Sequence, residues 1–109
     1  MDFMMVSASH SPLLDFLARE TPAVRNILEA LERTGLAENT IVVFTTDHGE
    51  LLGDHGLWMK GPFHYEQLIR IPMLLRWPAG FPGGQATSAL LSQVDVAPTV
   101  LAAAGVEAT

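Results

Sequence analysis

Residues 40–46 read TIVVFTT, an apolar and β-branched run in which polar and apolar positions do not alternate. Branched side chains favour extended backbone, and the lack of alternation predicts a strand covered on both faces, as in a parallel sheet. That demand constrains the chain most, because one such strand needs neighbours on each side and a layer above and below. A second run, IPMLLRW at 71–77, has the same character, and Pro72 places its start near an edge or at a strand entry. A shorter run, FMMVS at 3–7, ends in the polar turn ASHSP and reads as a further buried strand.

Helices lie between and after these strands. In ETPAVRNILEALERTGLAENT, residues 20–40, Thr21 can cap and Pro22 suits the first helical position. Val24, Ile27, Leu28 and Leu31 form one apolar stripe, Glu29 and Arg33 stand at a favourable i,i+4 spacing, and Gly35 supplies a stop, so a helix over 22–34 is expected. After the loop PAGFPGG, Asp95 can cap a last helix over 96–104, with Pro98 in its first turn and Gly105 as its stop. The order strand, helix, strand, long loop 47–70, strand, loop, helix reads as α/β. Two or three parallel strands and two helices leave sheet faces bare, so the chain, residues 1–109, is expected to be an incomplete piece of a larger mixed or parallel sheet flanked by helices. Self-association through uncovered sheet or apolar surface is the corresponding expectation.

Composition removes several classes of function. Twelve acids against six Lys and Arg leave a formal charge of −6, a poor match for nucleic acid, which needs a basic face. No apolar run approaches the roughly 20 residues of a membrane span, and the N-terminus, with Asp2 and a short apolar run, lacks the pattern of a secretory signal. Neither a membrane nor a particular compartment is therefore indicated. The sequence contains no cysteine, which excludes disulfides, zinc thiolates and cysteine nucleophiles within this chain.

The stretch TTDHGELLGDHGLWMKG, residues 45–61, carries Asp-His-Gly twice, seven positions apart. Seven residues are two helical turns, but Gly49, Gly53 and Gly56 fall within eight positions, and each costs about 1 kcal/mol relative to Ala inside a helix. The segment therefore reads as a loop with tight turns, with one short helical turn at GELLG. Asp47 and His48 directly follow a predicted strand, at the kind of carboxyl end where ligands gather in open α/β sheets. A carboxylate oxygen and a neutral imidazole nitrogen can together hold a divalent cation; equally, Asp47 can cap a turn and His48 be polar filler. Asp54 and His55 follow no strand and are expected to bond to loop backbone.

Lys60 lies between LWM and GPF, where it can pair with an anionic substrate or stand as a solvated charge. His10, in SASHSP, follows another predicted strand end and reads equally as a surface histidine. His64, Tyr65 and Glu66 are plausible site-lining residues with no stronger signal.

The order of these features resembles one family. NTIVVFTTDHGELLGDHGLWMKGPFHYEQLIRIPMLLRWPAG, residues 39–80, is similar to the sulfatase stretch in which a strand ends in (T/S)DHG or (T/S)DNG, a glycine-rich loop carries a Lys, and R(I/V)P opens another strand. SQVDVAPTVLAAAG looks like the later VD-x-PT helix of that family, and FMMVSASHSP resembles the strand ending in PH-x-P, with Ser9 in place of the first proline. The resemblance, to sulfatases within the alkaline phosphatase superfamily, implies an alkaline-phosphatase-like fold and metal-dependent hydrolysis of small-molecule sulfate monoesters. It implies that Asp47 is a ligand of a single divalent cation, usually Ca2+, and that His48 contacts the metal or the substrate anion. Lys60 matches the lysine that bridges sulfate oxygens and nucleophile, and His10 matches the histidine near the ester oxygen, a candidate to assist the leaving group. An anion can then be held by an acidic chain, because screening over about 8–10 Å mutes the remote acids.

The family's nucleophile, a formylglycine made from Cys or Ser in C/S-x-P-x-R, is not encoded here. TPAVR departs from it, since two residues separate Pro22 and Arg25 and position 20 is Glu. The Asp pair that follows the family's first strand has no counterpart either. The chain accordingly looks like the later part of a catalytic domain. The alternatives are a phosphonate or phosphate ester hydrolase of the same superfamily and a non-catalytic remnant module.

Overall fold

A computed structural model of the chain describes residues 5–7, 19–80 and 82–106. Four strands form one mixed sheet: β1 (Met5–Ser7), β2 (Val42–Thr45), β3 (Met73–Arg76) and β4 (Gln85–Thr87), in the order β2-β3-β1-β4. Among the described residues it is accompanied by the helices α1 (Pro22–Thr34), the single turn α2 (Glu66–Ile69) and α3 (Val96–Ala103).

β1 and β3 are parallel, with Val6 opposite Leu74, whereas β2 is antiparallel to β3, with Phe44 opposite Leu74. The apolar run at 40–46 therefore does not enter a purely parallel array. β2 is the edge strand of the described sheet, and all four of its residues are half-buried. β3, bonded on both sides, is the strand whose non-alternating pattern matches its surroundings: Met73, Leu74 and Leu75 are all buried, though successive side chains point to opposite faces. Pro72 precedes the first residue of β3, where its missing N–H costs the ladder nothing. β4 falls in a stretch without apolar patterning and is antiparallel to β1, Ala86 facing Val6; its pairing follows from the neighbouring strand.

α1 ends as its residues dictate. Gly35 takes the left-handed conformation (φ 70°), its N–H donates to the Glu32 carbonyl, and the Leu36 N–H donates to the Leu31 carbonyl. Thr21 has extended backbone, but its side chain makes no capping bond. The helix is tied to the sheet by Arg76, whose Nη2 donates to Glu32 Oε1 at 2.8 Å. At the other terminus Asp95 serves the turn before α3: the Ser92 N–H donates to Asp95 Oδ2 at 2.7 Å, and Asp95 does not cap α3 through its side chain.

The core centres on Ile71 and Met73, packed by Val43, Leu91 and Val96. Neither α1 nor α3 has a buried residue; Ile27 is 57% exposed, and Val100 and Leu101 are each 41% exposed. Among the described residues the helices thus cover the sheet only in part, as expected of an incomplete α/β piece. No helix of the described residues is long and apolar enough to cross a membrane.

Candidate active site at the end of β2

β2 pairs for the last time at Thr45, opposite Met73, and the chain then turns through Thr46, Asp47, His48 and Gly49. Two elements hold this turn. The Gly49 N–H donates to the Leu68 carbonyl of α2 at 2.8 Å, and Gln93 Nε2, just before α3, donates to the Thr46 carbonyl. The first contact explains the glycine. A Cβ at position 49 would fall on the backbone carbonyl of Gln67, so two backbones meet where no side chain fits.

Within the turn Asp47 and His48 are locked together. Asp47 Oδ1 accepts the His48 backbone N–H at 3.0 Å and lies 3.3 Å from the Thr46 hydroxyl. That hydroxyl is also 3.2 Å from the His48 carbonyl, so its one hydrogen serves one acceptor or the other. Desolvation by itself raises the Asp47 pKa, but the electrostatic influence of His48 and the hydrogen bonds from His48 and Thr46 outweigh it and hold the carboxyl below its ordinary value.

The ring of His48 is oriented by its own neighbour. Nδ1 lies 2.7 Å from the Gly49 carbonyl oxygen, which can only accept, so Nδ1 carries the hydrogen. In the neutral ring Nε2 then presents a lone pair. It faces Lys60 Nζ at 2.8 Å and lies 3.5 Å from Asp47 Oδ2. Carboxylate, imidazole and ammonium are thereby gathered at one place, with the Asp47 side chain 79% and the His48 side chain 34% exposed.

Lys60 is brought there by a loop with its own anchors. Leu51 is buried at 2% exposure, while Leu52 (φ 48°) and His55 (φ 54°) both take left-handed backbone. The Gly53 N–H closes the loop onto the Leu57 carbonyl at 2.8 Å. The short helical turn is 3-10 and covers Asp54–Gly56 instead of GELLG, since Leu52 has turned left-handed before it. The second triplet is part of this loop: the Leu57 N–H donates to the Asp54 carbonyl, and His55 stacks on Tyr65 at 3.8 Å between ring centroids.

Two open clefts adjoin at His48. One, of about 330 Å³, is lined by Lys60, Phe63 and His64; the other, of about 190 Å³, by Asp47, Ser92 and Gln93; His48, Leu68 and Ile69 border both. Of the residues named from the sequence, Asp47, His48 and Lys60 come together and His64 lines the larger cavity, whereas Glu66 is at 4.0 Å from Arg70. His10 lies outside the described residues. β1, which precedes it, runs antiparallel to β2, so their carboxyl ends point to opposite edges of the sheet. Ser92, Gln93, Pro62 and Phe63 were not singled out; they carry no spacing signal, and Gln93 reaches Thr46 across 47 positions of chain. No group of three or more His, Cys, Asp or Glu able to hold a metal occurs among the described residues.

With this geometry in place, comparison with known proteins gives a consistent result. The family model described as Sulfatase matches residues 17–106. The chain is 43% identical over 96 residues to the N-acetylglucosamine-6-O-sulfatase of Bacteroides thetaiotaomicron, covering 85% of this chain and 17% of that protein. It is 46% identical to arylsulfatase K of Xenopus laevis, covering 74% and 15% respectively. A solved structure of BT4656 in complex with its substrate D-glucosamine-2-N,6-O-disulfate matches with a TM-score of 0.72 and 42% identity, over 79% of this chain and 17% of that one. The chain thus spans less than a fifth of the length of these relatives.

Proposed function

The chain belongs to the sulfatase family, and from that premise we propose that Asp47, His48 and Lys60 are the charge-handling part of a sulfuric ester hydrolase acting on small-molecule sulfate monoesters. The observation that carries this reading is the 2.8 Å contact between Lys60 Nζ and His48 Nε2 beside the Asp47 carboxylate. A sulfate monoester carries one negative charge, and cleavage builds more on the departing oxygen. An ammonium fixed at the mouth of a cavity meets that charge, and two of its three N–H groups remain to donate once one is spent on His48.

The donor set suits a divalent cation in kind, though not in number. Asp47 Oδ2 and His48 Nε2 stand 3.5 Å apart, and the one Nε2 lone pair, which would serve a cation, here accepts from Lys60. Neighbouring ligands at right angles on an ion with bonds of about 2.3–2.6 Å are separated by about 3.3–3.7 Å. Calcium prefers about six to eight ligands, so this pair is only part of a shell. When bound, the cation supplies Lewis-acid stabilisation of the sulfate oxygens. Asp47 would hold it, His48 would orient it or the anion, and Lys60 would bind the sulfate. His10 is assigned to the leaving group on the resemblance alone. No Cys and no C/S-x-P-x-R motif occur in this sequence, so the formylglycine nucleophile is not supplied by these 109 residues.

The test joins this segment to one carrying C/S-x-P-x-R and follows release from 4-nitrophenyl sulfate and 4-nitrophenyl phosphate. Sulfate release that is lost in both Asp47→Ala and Lys60→Ala is the expected result. Undiminished release by Asp47→Ala, or preference for the phosphate ester, would overturn the assignment.

A further inference from the structure

The second Asp-His-Gly triplet, residues 54–56, takes no part in the charge chemistry, yet its histidine is firmly placed. His55 adopts left-handed backbone (φ 54°, ψ 20°), which is uncommon for a residue with a Cβ. Its ring lies on that of Tyr65, with centroids 3.8 Å apart and planes 14° from parallel. Both partners of this stack bear on the Lys60–His48 contact. The Tyr65 carbonyl accepts the Leu68 and Ile69 N–H groups at 2.9 and 3.1 Å and so opens α2, whose Leu68 carbonyl holds the Gly49 N–H at 2.8 Å. His48 is therefore tied to α2 through the backbone of its own turn. His55 sits in a tight turn, closed by the Gly53 N–H on the Leu57 carbonyl at 2.8 Å and the Leu57 N–H on the Asp54 carbonyl at 3.0 Å. That turn ends three residues before Lys60. Between them Trp58 and Met59 are 76% and 73% exposed, so they fix Lys60 by little packing of their own. The stack ties the Lys60 arm to the same helical turn that holds His48.

We propose that His55 is a positioning residue for Lys60: by stacking on Tyr65 it sets the loop where the ammonium meets His48 Nε2. The proposal rests on the sulfate-binding role of Lys60 and gives the second triplet a function of its own. The first triplet supplies carboxylate and imidazole, and the second holds the amine beside them. A long side chain whose arm is already placed loses less freedom on meeting an anion, so the stack favours sulfate binding without touching sulfate.

The test follows the His48 ring nitrogens of the 109-residue chain by NMR at fixed pH. Affinity for inorganic sulfate and the urea midpoint are read on the same samples. His55→Asn removes the ring but suits left-handed backbone, and Tyr65→Leu removes the partner from the α2 side. Each should move the His48 Nε2 resonance toward its position in Lys60→Met and weaken sulfate binding about threefold to tenfold, the range of one aromatic contact. The double variant should lose no more than either single one, since both remove the same contact. Tyr65→Phe, which keeps the ring face, should retain the parent values. Gly35→Ala, remote from the stack, should lower the urea midpoint while leaving the His48 signals and sulfate affinity unchanged. Parent His48 signals and affinity in both His55→Asn and Tyr65→Leu overturn the proposal, as do additive losses in the double variant. So does a loss of affinity that follows the urea midpoint, Gly35→Ala included, instead of the His48 shift. A Lys60-dependent His48 signal that is lost in His55→Asn, in a chain without affinity for sulfate, overturns the sulfate reading and leaves the positioning of Lys60 standing.

Discussion

The ammonium of Lys60 and the Nε2 of His48, twelve residues apart in the chain, are in contact at 2.8 Å. The contact depends on a proton placed elsewhere: His48 Nδ1 is committed to the Gly49 carbonyl, which leaves Nε2 as the acceptor. In this structure the Nε2 lone pair is taken by Lys60, whose two other N–H groups remain free to donate.

Replacing Lys60 tests that arrangement directly. In Lys60→Met the Nε2 loses its donor and the cavity its charge. Sulfate affinity should fall about tenfold or more, in line with a charge-assisted hydrogen bond, and the His48 ring nitrogen resonances should shift. Unchanged imidazole signals would show that the contact is not formed in solution.

Gly49 is a steric requirement. A methyl group at this position meets the Gln67 carbonyl, so Gly49→Ala should lower stability by about 1–3 kcal/mol, the usual cost of forcing atoms into filled space. Urea denaturation measures it, and sulfate binding should weaken in parallel because the turn carrying Asp47 and His48 is displaced. Gly35→Ala places its methyl in open space and serves as the contrast, its cost arising only from the left-handed backbone.

Asp47 gives a pH dependence of defined sign. Its folded-state pKa is depressed below the ordinary value of 3.8, so its contribution to stability is present above that value and is lost as pH falls through the lower folded one. The gap in urea midpoint between the parent chain and Asp47→Asn should close on acidification below about pH 4. A gap that widens on acidification would contradict the lowered pKa.

The Arg76–Glu32 pair joins α1 to β3. Arg76 is only 11% exposed, and its Nη1 is buried without a hydrogen-bond partner among the described residues, where Glu32 is the guanidinium's ion-pair partner. Glu32 is 65% exposed, which screens the pair. Glu32→Ala should cost about 1–2 kcal/mol in a urea titration, the penalty of leaving a largely buried charge unmatched. A neutral outcome would mean that solvent reaches Arg76.

Calcium binding to the chain should be weak, because Asp47 and His48 supply two ligands where about six to eight are preferred. Calorimetry should find no micromolar site, and the residual affinity should disappear in Asp47→Ala. Micromolar binding at one site would require ligands beyond this pair.

Local chemistry made much of this protein readable in its residues. The boundaries of α1 follow from Pro22 and Gly35, whose backbone preferences act without neighbours. The three glycines between 49 and 56 argue against a continuous α-helix, and the loop they permit, with its one 3-10 turn, is the one that carries Lys60. The stretch 39–80, in which Asp47, His48 and Lys60 are set between two strands, resembles the sulfatase pattern and points to the family that the comparisons show. Three things were left to the tertiary structure. The antiparallel course of β2 depends on which edge of β3 it meets, and an apolar strand has the same composition in either direction. The proton on His48 Nδ1 and the reach of Gln93 to Thr46 depend on carbonyls whose positions exist only after α2 and α3 have docked. Residue type and spacing specify what a side chain can do; which partner it does it with is decided by backbone groups that folding brings within about 3 Å.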